Sequence, residues 1–101
     1  MHLVQILLPL SDNDRHPFPR DHYDKVALEL TERFGGVTAF TRSPAEGRWK
    51  GRGDTLSEEM VVIEVMIEDL DHAWWASYRA DLELKFRQLK VVVRAQKVQL
   101  L

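Results

Sequence analysis

The stretch Met60-Val-Val-Ile-Glu-Val-Met-Ile-Glu68 decides the fold. Val61, Ile63, Val65 and Ile67 make an unbroken apolar row, whereas Met60, Val62, Glu64, Met66 and Glu68 make a mixed one. Side chains alternate sides along an extended chain, so this stretch predicts a strand with one face in a core and the other available for something else. Upstream of it, Val37-Thr-Ala-Phe-Thr-Arg42 is rich in β-branched and aromatic residues and predicts a strand as well. Between the two lie the turn formers Ser43-Pro-Ala-Glu-Gly47 and Gly51-Arg-Gly-Asp54, so 43–58 reads as a long excursion between paired strands.

Working outward, His2 to Leu10 is short and almost continuously apolar, which suits a central strand ended by Pro9. Ser11 to Pro19 is dense in turn formers and reads as a loop. Beyond Pro19, Tyr23, Val26, Ala27, Leu30 and Phe34 recur at helical spacing until Gly35-Gly36 stops the helix. Leu28 falls roughly opposite that stripe. Asp69 or Asp71 is placed to cap a second helix, whose stripe is Trp75, Tyr78, Leu82, Phe86 and Leu89 and whose end is expected near Gln88. Val91-Val-Val93 opens a last strand reaching about Leu100.

The order strand, helix, strand, strand, helix, strand predicts an α+β fold. It is the ferredoxin-like βαββαβ arrangement, a four-stranded antiparallel sheet with two helices on one face. The 101 residues allow one domain, 1–101.

Composition excludes several function classes. A formal net charge of −2 argues against nucleic-acid binding, which favours basic surfaces. The absence of cysteine removes disulfides, thiolate nucleophiles and zinc–thiolate sites. No apolar run reaches the roughly 20 residues of a membrane span, and the N-terminus lacks the basic start and small-residue cleavage site of a signal peptide. A cytoplasmic protein with no membrane partner is expected.

Two helices cover one side of a sheet. The other side is then expected to carry Leu3, Gln5, Leu7, Thr38, Phe40, Val62, Glu64, Met66, Val92, Arg94, Gln96 and Val98. A patch this apolar on a small protein usually marks a partner or ligand surface. Two ways of covering it follow: a homodimer packed sheet against sheet, or the 43–58 segment folded over the face to enclose a pocket. Inside such a space Glu64 and Arg94 are expected to pair, with Gln5 and Gln96 completing the hydrogen bonds.

That face supplies the candidate site. Arg94 and Arg42 would hold a small anionic or carbonyl-bearing ligand, with Gln5 and Gln96 beside them. Glu64 would be the acid–base or pairing group and Trp49 a lid. The alternatives are a non-catalytic homodimeric interaction module and a small cofactor-free oxygenase or isomerase. The basic cluster Arg42, Arg48, Lys50 and Arg52 around Trp49 also reads as an ordinary solvated loop, and Arg52-Gly-Asp54 as a chance tripeptide. Trp74 and Arg79 sit at the edge of the second helix's stripe and are candidates for an interface or pocket rim.

No metal or cofactor is expected. Asp12, Asp14 and His16 have alternating ligand spacing. Counting from Asp12, however, the sixth and twelfth positions of an EF-hand would be Pro17 and Tyr23 instead of glycine and glutamate. Solvated turn residues are the better reading. His2, His16, His22 and His72 lack the helical pairing of a metal site, and no serine has a nucleophile-elbow context.

Four segments resemble a group of small uncharacterised bacterial proteins: Glu29-Leu-Thr-Glu-Arg-Phe-Gly-Gly-Val-Thr-Ala-Phe-Thr-Arg42, Ala45-Glu-Gly-Arg-Trp-Lys50, Asp69-Leu-Asp-His-Ala-Trp-Trp-Ala-Ser-Tyr-Arg79 and Phe86-Arg-Gln88. The resemblance covers nearly the whole chain. It implies a bacterial source, a ferredoxin-like fold and kinship with dimeric α/β-barrel proteins. That class spans small monooxygenases, isomerases, dye-type peroxidases and ligand-sensing modules. It transfers no catalytic residue.

Overall fold

The computed structural model describes residues 1–48 and 55–101, with side chains over 1–38 and 60–101. The elements in chain order are β1 (His2–Pro9), α1 (Arg20–Phe34), β2 (Thr38–Arg48), β3 (Thr55–Ile67), α2 (His72–Lys85) and β4 (Val92–Lys97). The α+β class is as expected. The strands form one antiparallel sheet in the order β2-β3-β1-β4, which places β1 and β3 at its centre.

Alternation along the central strands builds the core. Val4, Ile6 and Leu8 of β1 and Val61, Ile63, Val65 and Ile67 of β3 are buried on one face. They join Val26 and Leu30 of α1 and Trp75, Tyr78 and Leu82 of α2 in one cluster, so both helices cover the same face. At roughly 1.5–3 kcal/mol for each fully buried large apolar side chain, this cluster supplies the main drive for folding.

The ends of α1 follow local chemistry. Gly35 takes a left-handed φ of 91° and donates its N–H to the Thr31 carbonyl. A side chain there would strain the backbone. Of the two capping candidates for α2, Asp71 serves: its Oδ1 accepts from the Trp74 N–H at 3.1 Å.

Three boundaries differ from expectation. The segment 43–58 is not a loop in its described parts, because β2 and β3 continue pairing through Ala45–Glu58, Glu46–Ser57, Gly47–Leu56 and Arg48–Thr55. The turn formers at Ser43 and Pro44 make a bulge between Arg42 and Ala45 rather than ending the strand. Helix α2 stops at Lys85, short of Gln88. Phe86 leaves the helical conformation with φ −96° and Arg87 turns left-handed with φ 50°. Leu89 therefore misses the apolar stripe and is fully exposed. Strand β4 ends at Lys97 rather than near Leu100.

The 11–19 loop is more ordered by contacts than its composition suggests. Ser11 and Pro17 form a bridge, and the Phe18 N–H donates to the Leu10 carbonyl at 3.0 Å. Phe18 is thereby buried, its ring edge-on to Phe86 at 5.1 Å.

Candidate functional site

On the face away from the helices, Gln5 lies directly across from Glu64 of β3 on one side and from Arg94 of β4 on the other. Gln5 Nε2 donates to Glu64 Oε2 at 2.6 Å, and Arg94 Nε donates to Gln5 Oε1 at 2.8 Å. The three side chains make one row across three strands. The guanidinium fixes which end of the Gln5 amide faces the carboxylate, since only the oxygen can accept from Arg94 and only the nitrogen can donate to Glu64.

The expected Glu64–Arg94 ion pair is not formed within the chain. Strand β1 lies between β3 and β4, so neighbouring side chains of these two strands stand about 9–10 Å apart, two strand spacings. Gln5 bridges them instead. Gln96 pairs in register with Leu3 and is exposed, with no side-chain hydrogen bond among the described residues. Arg42 pairs in register with Met60, and its side chain lies outside the described residues. Trp49 and the Arg52-Gly-Asp54 tripeptide lie outside the described residues entirely.

Glu64 also lines a groove of about 500 Å³ with Leu3, Phe34, Gly36, Val37, Thr38 and Met66. The α1–β2 turn forms one wall and the open sheet face the floor. The volume lies within the range of ligand sites, which combine a mostly apolar lining with a few placed polar groups. The carboxylate is half-buried and, among the described residues, Oε1 has no partner. Chemically, this arrangement accepts a hydrogen bond or faces a positive group beside apolar surface. Sequence reasoning picked out Glu64, Gln5 and Leu3. It placed Phe34 in the core stripe of α1 and did not bring Phe34 or Val37 beside Glu64, because the approach of the end of α1 and the following turn to the sheet is a non-local contact.

Asp12, Asp14 and His16 do come together, with ligand atoms within 4.8 Å of one another. Hydrogen bonding within the loop accounts for the grouping. The N–H groups of Asp14 and His16 each donate to Asp12 Oδ1 at 2.9 Å, and Arg87 stands 3.4 Å from Oδ2. The His16 N–H, more than any other group, holds the Asp12 carboxyl below its ordinary range.

On the helix side, Trp74 is stacked on Tyr78 at 4.9 Å and crossed by the Arg33 guanidinium at 4.3 Å from its ring. Both faces of this half-buried indole are occupied, a packing role rather than an open rim. Arg79 is exposed. The Tyr78 hydroxyl is buried and has no partner among the described residues, and burial pushes its pKa well up.

No family model and no curated protein sequence matches the chain. Two solved structures are similar in fold. A phage SAM lyase in complex with S-methyl-5'-thioadenosine matches with a TM-score of 0.66 at 18% identity, covering 95% of this chain and 80% of that one. A phage SAM lyase in its apo state matches with a TM-score of 0.62 at 18% identity, covering 94% and 78%. At that identity the likeness concerns the fold.

Proposed function

We propose that the chain is a homodimeric small-molecule-binding protein whose ligand sits in the groove around Glu64. One observation carries this reading. A carboxylate held by Gln5 lines a groove of about 500 Å³ together with Leu3, Phe34, Val37 and Met66, and with Gly36 and Thr38. A carboxylate with a free oxygen draws a cationic or hydrogen-bond-donating group, so Glu64 is the group proposed to meet the ligand in this groove, and an anion-holding role for Arg94 and Arg42 stays part of the proposal. The strand order β2-β3-β1-β4 with both helices on one face supports the ferredoxin-like reading of the fold.

The fold likeness supplies the first probes. S-adenosylmethionine carries a positive sulfonium between an adenosine and an amino-acid group, and that charge suits the Glu64 carboxylate. S-methyl-5'-thioadenosine, bound by one of the similar structures, lacks that charge. Calorimetric titration of both should show binding that weakens at least about tenfold in Glu64→Gln and in Leu3→Trp, which fills the groove. Unchanged binding in both variants would remove the groove from the reading. Chromatography of the products would show in the same samples whether the bound compound is cleaved.

A second reading, assembly without a ligand, is favoured by the exposure of Met66 at 43% and Val92 at 40% on the same face. It predicts that neither probe binds and that the face is covered only by another copy. A cytoplasmic location belongs to the same proposal. Among the described residues, no helix is long and apolar enough to cross a membrane.

A further inference from the structure

Strand β4 is one edge of the sheet and, among the described residues, pairs with β1 alone. The Val98 N–H donates to the Met1 carbonyl at 3.1 Å, in the same register that sets Gln96 across from Leu3, Arg94 from Gln5 and Val92 from Leu7. Hydrogen-bonded pairs alternate along an antiparallel ladder, so these residues turn their peptide groups toward β1. Val93, Ala95 and Lys97 turn theirs outward. A row of outward N–H and C=O groups is a template for another strand.

Beside this row lies a hollow of about 300 Å³. Leu70, His72 and Trp75 line it around the start of α2, and Val93, Arg94 and Ala95 line it from β4. Successive strand residues point to opposite faces, yet all three of 93–95 border the hollow, so it abuts the backbone edge of the strand. The guanidinium of Arg94 belongs to the open face, where its Nε donates to Gln5. The apolar hollow and the free edge therefore form one continuous surface.

Charge selects what that surface takes. From Leu84 to Leu101 the chain carries Lys85, Arg87, Lys90, Arg94 and Lys97 and no acid, although the whole chain has a formal net charge of −2. Two β4 edges brought together would set these bases beside one another with nothing to neutralise them, which disfavours a second copy. The same charges favour an acidic strand. Residues directly opposite across a ladder share a face. An added strand with alternating character would place acidic side chains on the open face beside Arg94, and apolar ones against Val93, Ala95 and the hollow. Asp69 and Asp71 stand on either side of Leu70 in the sequence, so the helix side suits the apolar set.

We propose that the edge of β4 binds an extended peptide segment of another protein, alternately acidic and apolar, by strand addition. Main-chain bonds to Val93, Ala95 and Lys97 hold it, the hollow takes an apolar side chain, and Arg94 meets a carboxylate. This surface is separate from the groove around Glu64, and neither reading depends on the other.

The probe is a pool of fluorescent peptides as long as β4, with glutamate at alternate positions and varied apolar residues between. A matched pool carries lysine in place of glutamate. Anisotropy should show the glutamate pool binding at least about tenfold more tightly, and more weakly as salt rises. Arg94→Glu should narrow or reverse that preference. Ala95→Pro removes an outward N–H without breaking a bond to β1, a change that sheet edges accept, and should weaken binding at least about tenfold. Peptides N-methylated at the amides that would face β4 make the same test on the natural chain, and they should lose binding.

A glutamate pool that does not bind up to its solubility limit, or that binds no better than the lysine pool, would overturn the proposal. So would N-methylated peptides that bind as well as their parents. Self-association of the natural chain that disappears in Ala95→Pro would assign the edge to a second copy and overturn the acidic partner.

Discussion

The side-chain amide of Gln5 donates to the Glu64 carboxylate at 2.6 Å while its oxygen accepts from Arg94, so a single central-strand glutamine orders the polar part of the open sheet face. Two charges on non-adjacent strands are connected without touching. The arrangement depends on Gln5 having a donor and an acceptor at the same distance from the backbone.

Replacing Gln5 with leucine keeps the volume and removes both bonds. Half-buried Glu64 would then lose its protein partner, while exposed Arg94 would turn to water. A loss of about 1 kcal/mol is expected, the ordinary net contribution of a hydrogen bond, read as a lowered urea midpoint with an unchanged slope. Gln5→Glu should behave differently. It sets two carboxylates across from each other, so its deficit at neutral pH should shrink as acid protonates one of them.

Asp12 gives the loop before α1 a pH dependence. Its carboxyl is held below the ordinary 3.8, chiefly by the His16 N–H. The unfolded chain therefore binds the proton more readily between the lowered value and 3.8. The stabilisation is complete above that window and disappears as pH falls through it. Comparing urea midpoints of the natural chain and Asp12→Asn across pH should show an advantage at neutral pH that narrows below about pH 4. A gap that stays constant down to pH 2 would contradict this.

At the alkaline end, Tyr78 acts in the opposite sense. Burial favours its neutral form, and its hydroxyl has no partner among the described residues. The folded chain keeps the phenolic proton more tightly than the unfolded chain, so stability falls as pH rises past the ordinary tyrosine value of 10. Tyr78→Phe should match or exceed natural stability at pH 7, since an unsatisfied buried hydroxyl costs about 1–3 kcal/mol. It should also flatten the decline above pH 10. Circular dichroism during urea titration at both pH values measures each part.

Phe86 ties the end of α2 to the first loop. It is fully buried, with Phe18 at 5.1 Å and Tyr23 at 5.4 Å between ring centres. Phe86→Ala should cost about 3–5 kcal/mol, the range for emptying a buried aromatic position. Phe18→Leu should cost less because it keeps most of the volume. Amide hydrogen exchange should then show the 11–19 loop losing protection in Phe86→Ala, since its main anchor is gone.

Much of the fold could be read from residues 60–68, because alternation on a strand is a local property. The same four residues that make the apolar row in the sequence are buried in the structure, and the mixed row holds Glu64 and Met66 on the other face. The stop at Gly35 and the cap at Asp71 were equally local. The strand pairing of 45–48 with 55–58 was hidden, because Pro44 and three glycines read as turn while the cross-strand ladder that overrides them is a non-local contact. Phe18 was missed for a related reason: its burial depends on Phe86, 68 positions away, and prolines on both sides mark it as loop.

By itself, the sequence determined the order of strands and helices, which face of each element is apolar, and that one sheet face would stay uncovered by helices. These follow from spacing along the chain. Only the tertiary structure decided that β1 stands between Glu64 and Arg94, that Gln5 therefore joins them, and that Glu64 opens into a groove with Phe34 and Val37. Strand order and the approach of a turn to a sheet edge are set by packing the whole chain at once, and no local pattern encodes them.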